Sequence, residues 1–307
     1  MITVSNLKKS YDETAVFDSL SMQVKRGSIY GLVGPNGSGK TTLLRMMAGV
    51  LRPDAGTIEL DGEAVYENDK VKARIGFIAD EFWFPFGETL SGMQSMYKGF
   101  YPNFNDRRFH DMITFFELPA KRRMNTFSKG MKKQAAFCLV LAAEPDVLLL
   151  DEPLDGLDPL IRKYVLKQML DLVAEKEMTV LVSSHNLREL EGICDTVGIL
   201  ADGKMLLERE LEDLRNDFCK VQVAFDPETR EAIQSGARPD PYAALNILWK
   251  ESRGNVDLLL VKGGRAAVEE ELKAAGPVIL DPLPLTLEEV FIFELGGDDR
   301  EISSLIF

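Results

Sequence analysis

The run Gly34-Pro35-Asn36-Gly37-Ser38-Gly39-Lys40-Thr41 constrains this chain more than any other stretch. It matches G-x-x-x-x-G-K-[ST] and stands where that pattern works, after the apolar strand-like run Ile29 to Val33 and before Thr41 to Val50. Leu43, Leu44, Met46 and Met47 fall there at helical spacing. Glycines let backbone N–H groups turn inward around phosphates, and the helix N-terminus adds positive potential. Lys40 is long enough to reach β and γ phosphates, while Thr41, followed by Thr42, offers a hydroxyl to Mg²⁺. A glycine-rich turn that merely contained Lys-Thr would not need a strand on one side and a helix on the other.

A second run completes the chemistry. Val147-Leu148-Leu149-Leu150 is a buried-strand pattern that ends on Asp151-Glu152. An open α/β sheet places its ligand at the C-terminal ends of its strands. Asp151 suits Mg²⁺ there, and Glu152 suits the orientation or deprotonation of an attacking water. Alone, a strand followed by two acids reads as a solvated turn. With the phosphate loop upstream it reads as a nucleotide hydrolysis site.

The rest of the chain fits an α/β protein. Short strands and tight turns occupy Ile2 to Val24, a strand lies at Thr57 to Leu60, and helical periods run from Thr89 to Leu141 around an aromatic-rich middle. Core packing is the reading for most of Phe109, Phe115 and Phe116, and a structural role is the reading for His110. The α/β pattern resumes with a helix over Leu160 to Glu175, a strand at Thr179 to Val182, a helix near Leu187 to Ile193 and a hairpin around Asp202-Gly203. Past about Arg215 the order becomes βαββαβ, that of the ferredoxin-like split motif. Thr286-Leu287-Glu288-Glu289 then forms a capping box for a final helix over Val290 to Leu295.

Composition narrows the partners. The chain has 307 residues, 45% of them hydrophobic, which is enough for one large core or two smaller ones. Its net charge of −13 argues against bare nucleic acid as main partner, since binding a polyanion rests on Lys and Arg. Cys138, Cys194 and Cys219 are scattered in apolar surroundings, as in a reduced compartment without disulfides or zinc. No signal peptide is expected. The most apolar stretch, Ala135 to Leu150, is broken by Glu144-Pro145-Asp146 and falls short of the roughly 20 residues that cross a bilayer. Any membrane action therefore calls for another chain.

Three further motifs, in order, make residues 1 to about 210 resemble the ATP-binding cassette (ABC) family. Phe127-Ser128-Lys129-Gly130-Met131 resembles the cassette signature, Gly156-Leu157-Asp158 the D-loop, and Ser183-Ser184-His185 the switch-histidine loop. The resemblance implies a P-loop NTPase cassette over residues 1–214, with an antiparallel β subdomain and a helical subdomain at about 88–141, plus a small C-terminal α+β domain over 215–307. It implies that Tyr11 stacks on adenine, that residues 34–42 bind ATP, and that Ser128, Gly130 and Asp158 complete the site of a second cassette. It further implies catalysis by Lys40, Glu152 and His185, with Thr41 and Asp151 on Mg²⁺. Outside this order, Ser128 would read as the N-cap of a basic, solvated helix.

One departure stands out. Asp80, after the strand Ile75 to Ile78, aligns with a glutamine that in the family touches Mg²⁺ and water. A carboxylate can still serve the metal and the reaction, but it adds negative charge beside a triphosphate. Lys129 also replaces a commoner glycine. The ending Pro284 to Phe291 resembles the tail of cassettes from two-gene ABC-2 type exporters. The function implied is the ATP-hydrolysing subunit of a membrane exporter, working through dimerisation with a second cassette, as homodimer or heterodimer, with separately encoded permease subunits and a cytoplasmic seat on the membrane's inner face. The alternative is a soluble or regulatory cassette ATPase with little intrinsic turnover.

Overall fold

The computed structural model describes residues 1–81 and 83–294, without the side chains of residues 215 and 291–294. The helix read to Leu295, and the tail beyond it, end outside the described residues. In chain order the first part comprises β1 Ile2–Tyr11, β2 Thr14–Val24, β3 Ile29–Val33, α1 Lys40–Met47, β4 Ala55–Leu60, β5 Glu63–Ala64, α2 Asp69–Lys72 and β6 Ile75–Ile78. Then follow α3 Leu90–Phe100, α4 Asp106–Phe115, α5 Lys129–Ala142, β7 Val147–Asp151, α6 Pro159–Lys176, β8 Thr179–Ser184, α7 Leu187–Leu190, β9 Thr196–Ala201 and β10 Lys204–Glu210. The chain divides between Glu208 and Arg209 into two compact units.

Two sheets build the first unit. β2-β1-β4-β5 pair antiparallel, with alternating burial along β1 that puts Ile2, Val4 and Leu7 inward. The second sheet has the order β10-β9-β3-β8-β7-β6, and its β9-β3-β8-β7-β6 pairs are parallel. Every residue of β3, β7 and β8 is buried, as continuous apolar runs require when elements cover both faces of a parallel sheet. α1 packs its Leu43, Leu44, Met46 and Met47 into the core shared with β1, β2 and β4.

Helices α3 to α5 form the insertion between β6 and β7. Each begins at a polar cap: Thr89 accepts from the Gly92 N–H, Asn105 from Arg108, and Ser128 from Met131. Phe109 is fully buried, and Phe115 is the exception among the three phenylalanines read mostly as core. It lies 41% exposed, its ring stacked 3.7 Å from that of Tyr164 on α6 and nearly parallel to it. A surface stack, rather than a cavity, takes up its apolar face. At the other end of α4, Arg108 donates to Gln168 at 3.0 Å and to Glu144 at 3.3 Å, and Glu175 lies 3.8 Å away. His110 packs edge-on against Phe109. All three cysteines are buried and free. Among the described residues no helix is long and apolar enough to cross a membrane.

The second unit carries α8 Leu211–Asp217, β11 Phe218–Ala224, α9 Pro227–Gln234, β12 Ile247–Arg253, β13 Val256–Lys262, α10 Arg265–Ala274, β14 Ile279–Leu283 and α11 Leu287–Glu294. Its antiparallel sheet has the order β12-β13-β11-β14, which interleaves two βαβ halves around Val221, Val223, Leu259, Val261, Val268 and Leu272. Thr286 and Glu289 bond each other's backbone N–H groups, the reciprocal pattern of a capping box. Asp257 is almost wholly buried here. It accepts from Ser252 at 2.6 Å and Tyr242 at 2.8 Å, and pairs with Arg230 and Lys250.

Candidate functional site

Strand order explains why distant motifs meet. β3, β8, β7 and β6 are neighbours in that sequence, all parallel, so the loops leaving their C-terminal ends emerge side by side. Those loops carry the phosphate-loop glycines, Ser183-Ser184-His185, Asp151-Glu152 and Asp80. Register sets the fine alignment: Ser184 lies beside Val33 and Ser183 beside Asp151.

A cavity of about 300 Å³ opens at this edge, lined by Asn36, Gly37, Gly39, Lys40, Thr41, Thr42, Asp80 and Glu152, with Val16 as its apolar wall. Gly34 closes the loop tightly, since a Cβ there would stand 2.1 Å from the Leu200 carbonyl oxygen. α1 begins after Gly39 with no side-chain cap, which leaves its first N–H groups for a ligand. Ser38 Oγ is buried without a hydrogen-bond partner. Lys40 is buried and folds back to donate to the Gly34 carbonyl at 2.6 Å and the Pro35 carbonyl at 3.2 Å, with Glu152 Oε1 at 3.6 Å. Burial lowers its pKa, partly countered by Glu152 and Asp151. An unpartnered hydroxyl, uncapped amides and a cation turned onto carbonyls are together what a bound phosphate chain would satisfy.

Glu152 sits in the left-handed backbone region at φ 46°, unusual for a non-glycine residue. Its Oε2 accepts from the His185 backbone N–H at 3.3 Å and lies 3.0 Å from His185 Nδ1. That bond raises the His185 pKa above its ordinary 6.5, against opposition from burial and from Lys40. Ser183 links the acids, accepting from the Glu152 N–H at 3.1 Å and donating to Asp151 at 2.8 Å. Asp151 itself is buried behind the cavity rather than lining it.

The remaining candidates lie outside this group. Tyr11 is 47% exposed at the end of β1 beneath Lys9, and does not line the cavity. Ser128 and Asp158 cap α5 and α6, and neither they nor Gly130 line the cavity of their own chain. The helix behind Ser128 is not the solvated one that its basic run suggests. Nine of its residues are buried, among them Lys133, whose Nζ donates to the carbonyls of Glu152 at 2.8 Å and Asp155 at 2.9 Å. Sequence reasoning missed the parts of Lys133, Ser183 and Val16. Lys133 looks like any surface lysine in a basic run, and only the helical phase that places it among Ala136, Phe137 and Val140 hints otherwise.

With this geometry in place, the comparisons with known proteins are specific. Residues 17–155 match the family model for ABC transporters. The ABC transporter ATP-binding protein YtrB of Bacillus subtilis (strain 168) is 33% identical over 300 residues, covering 98% of this chain and all of that protein. The bacitracin transport ATP-binding protein BcrA of Bacillus licheniformis is 33% identical over 309 residues, covering 88% of this chain and 95% of its own. A solved ATP-binding subunit of an ABC transporter superposes with a TM-score of 0.65 at 27% identity, over 70% of this chain and 92% of that structure. The phosphate loop, the acids after β7 and the histidine after β8 thus stand in a chain that belongs to the ABC transporter family, as an ATP-binding, ATP-hydrolysing subunit.

Proposed function

We propose that this chain drives an exporter, with two cassettes closing on ATP so that the phosphate loop of one faces Ser128, Gly130 and Asp158 of the other. The placement of Glu152 carries the reading: its carboxylate faces the phosphate-loop cavity and is held by His185 on one side and Lys40 on the other. In this reading the phosphate loop binds the triphosphate through its N–H groups, Ser38 Oγ meets it, and Lys40 exchanges its own loop carbonyls for phosphate oxygens. Glu152 orients water for in-line attack on the γ-phosphorus and accepts its proton, as the bond to the ADP oxygen breaks. His185 holds the carboxylate and reaches toward the γ-phosphate, and Tyr11 stacks on adenine.

Thr41, Asp151 and Asp80 would hold Mg²⁺, which when bound neutralises charge building on the β and γ phosphates. Asp80 leaves this site more negative than a glutamine would, and so predicts a modest rate of turnover. Permease subunits encoded separately would seat the chain on the inner face of the membrane. Support for export is the near full-length likeness to a bacitracin transport subunit, together with the C-terminal ending. The cassette cycle would work by differential affinity of the open and closed pair for ATP and products.

The test is the purified full chain, wild type beside Glu152→Gln, with and without Mg·ATP, followed by turnover and light scattering. The variant should bind ATP and accumulate as a dimer while the wild type turns over. Loss of ATP binding in the wild type, or unchanged turnover in the variant, would sink the reading.

A further inference from the structure

The loop after β7 carries the site's strained residue, yet has few bonds of its own. Between Glu152 and Asp158 its main chain makes a turn bond from the Leu157 N–H to the Leu154 carbonyl. Three of its carbonyls are instead held by cations from the two flanking helices. Lys133 on α5 donates to those of Glu152 and Asp155, and Arg162 on α6 donates to that of Leu154 at 3.1 Å while pairing with Glu189.

Lys133 is the more telling of the two, because the residue is 2% exposed and its two acceptors flank the very turn that projects Glu152. Burying an ammonium is costly unless its donors are used, and here they converge on backbone. The same bonds fix a backbone conformation that an L-residue rarely adopts and that must be supported by its surroundings.

We propose that Lys133 is a positioning residue for ATP hydrolysis. From the helix that Ser128 caps, it holds Glu152 at the left-handed turn that aims its carboxylate at His185 and the phosphate loop. The inference rests on the reading of Glu152 as the carboxylate that orients water. Its consequence is a link within one chain: a displacement of α5 moves the Glu152 carbonyl, and with it the carboxylate. The helix that would clamp a partner's nucleotide thereby also sets the hydrolytic group of its own cavity. Neither acceptor needs to leave for this to matter, since a misplacement of about 1 Å can cost two orders of magnitude in rate.

The experiment compares the full chain as wild type, Lys133→Met, Lys133→Arg, Glu152→Gln and the Lys133→Met/Glu152→Gln double variant. ATP turnover, affinity for a fluorescent nucleotide and thermal melting are read for each. Lys133→Met should lower kcat at least tenfold while KM and nucleotide affinity stay within threefold. Lys133→Arg, with two donors on one planar fork, should recover turnover to within a few-fold of wild type. The double variant should turn over no more slowly than Glu152→Gln alone, because the two residues act as one unit.

Turnover by Lys133→Met within twofold of wild type, or equal losses in the Met and Arg variants, would overturn the proposal. So would a fall in nucleotide affinity and melting temperature with kcat intact, which is what a purely structural lysine gives. If the Met variant does not fold, Lys133→Gln, which keeps a shorter donor, takes its place under the same expectations. Should Glu152→Gln retain turnover, the reading of Glu152 fails and this inference with it. If Glu152→Gln loses turnover and Lys133→Met does not, this inference alone fails.

Discussion

Gly34→Ala should damage both folding and nucleotide binding, and the structure sets the scale. A Cβ on Gly34 would stand 2.1 Å from the Leu200 carbonyl oxygen, 3.2 Å from its carbon and 2.7 Å from Ser38 Oγ, where real Cβ contacts essentially never fall below 3.0 Å. The first two are backbone atoms that no rotamer change can move. β3 and β9 would therefore have to part by close to an ångström next to their paired residues Val33 and Ile199. Overpacking of this kind costs about 1–3 kcal/mol, and a backbone obstacle belongs at the upper end. At about 2–4 °C per kcal/mol for a unit of this size, melting should fall by roughly 6–12 °C.

Affinity for a fluorescent ATP analogue should fall at least tenfold, because the displaced loop is the one that lines the cavity. Gly37→Ala is the control. Its Cβ meets nothing within 4 Å, so only the positive φ of 85° is penalised, at about 1–2 kcal/mol. A Gly34→Ala chain that melts within a degree of wild type and binds nucleotide normally, or a Gly37→Ala chain that suffers more, would refute this account of why the loop needs its first glycine.

Two further outcomes follow from charge. The His185 pKa is raised chiefly by its hydrogen bond to Glu152, so the stabilisation from this pair is complete below the ordinary imidazole value of 6.5 and lost as pH rises through the raised one. Glu152→Gln should bring the His185 midpoint down toward 6.5 in a histidine NMR titration, and an unmoved midpoint would contradict the assigned cause. For Asp257, burial pushes the pKa up. Bonds from Ser252 and Tyr242 and the cations Lys250 and Arg230 more than offset it, so the net value is lowered. Its contribution is present above the ordinary 3.8 and disappears as pH falls through the lowered value. Asp257→Asn should cost the second unit about 2 kcal/mol in urea unfolding near neutral pH, less than a fully buried pair because Lys250 is 40% exposed. Unchanged urea unfolding would show that the cluster contributes nothing net.

Much of the site was legible because its chemistry is local in sequence. The phosphate loop, Asp151-Glu152 and Ser183-Ser184-His185 each sit at the end of a readable strand, and parallel pairing then brings strand ends together without further instruction. What stayed hidden depends on packing across elements. Lys133 was unreadable as a buried donor because its acceptors are main-chain carbonyls, which leave no trace in residue identity. Which of the three phenylalanines falls outside the core is not legible, since an aromatic at the end of an amphipathic helix reads the same whether it meets the interior or a tyrosine on a neighbouring helix. Tyr11 shows what motif order supplies and local packing does not. A single exposed aromatic, with Lys9 over its ring, is assigned a ligand-stacking role by its place in the motif order alone.

The two fastenings of α4 to α6 have a mechanical meaning. Arg108 near one end of α4 grips Gln168, and Phe115 at the other end lies flat on Tyr164. Two attachment points oppose hinging more than one would, so the pair is fastened along its length rather than joined at a single pivot. α6 has 18 residues, about 27 Å of helix, and Asp158 caps its start. A displacement of the insertion would therefore carry α6 with it, and with α6 the Asp158 cap at its start.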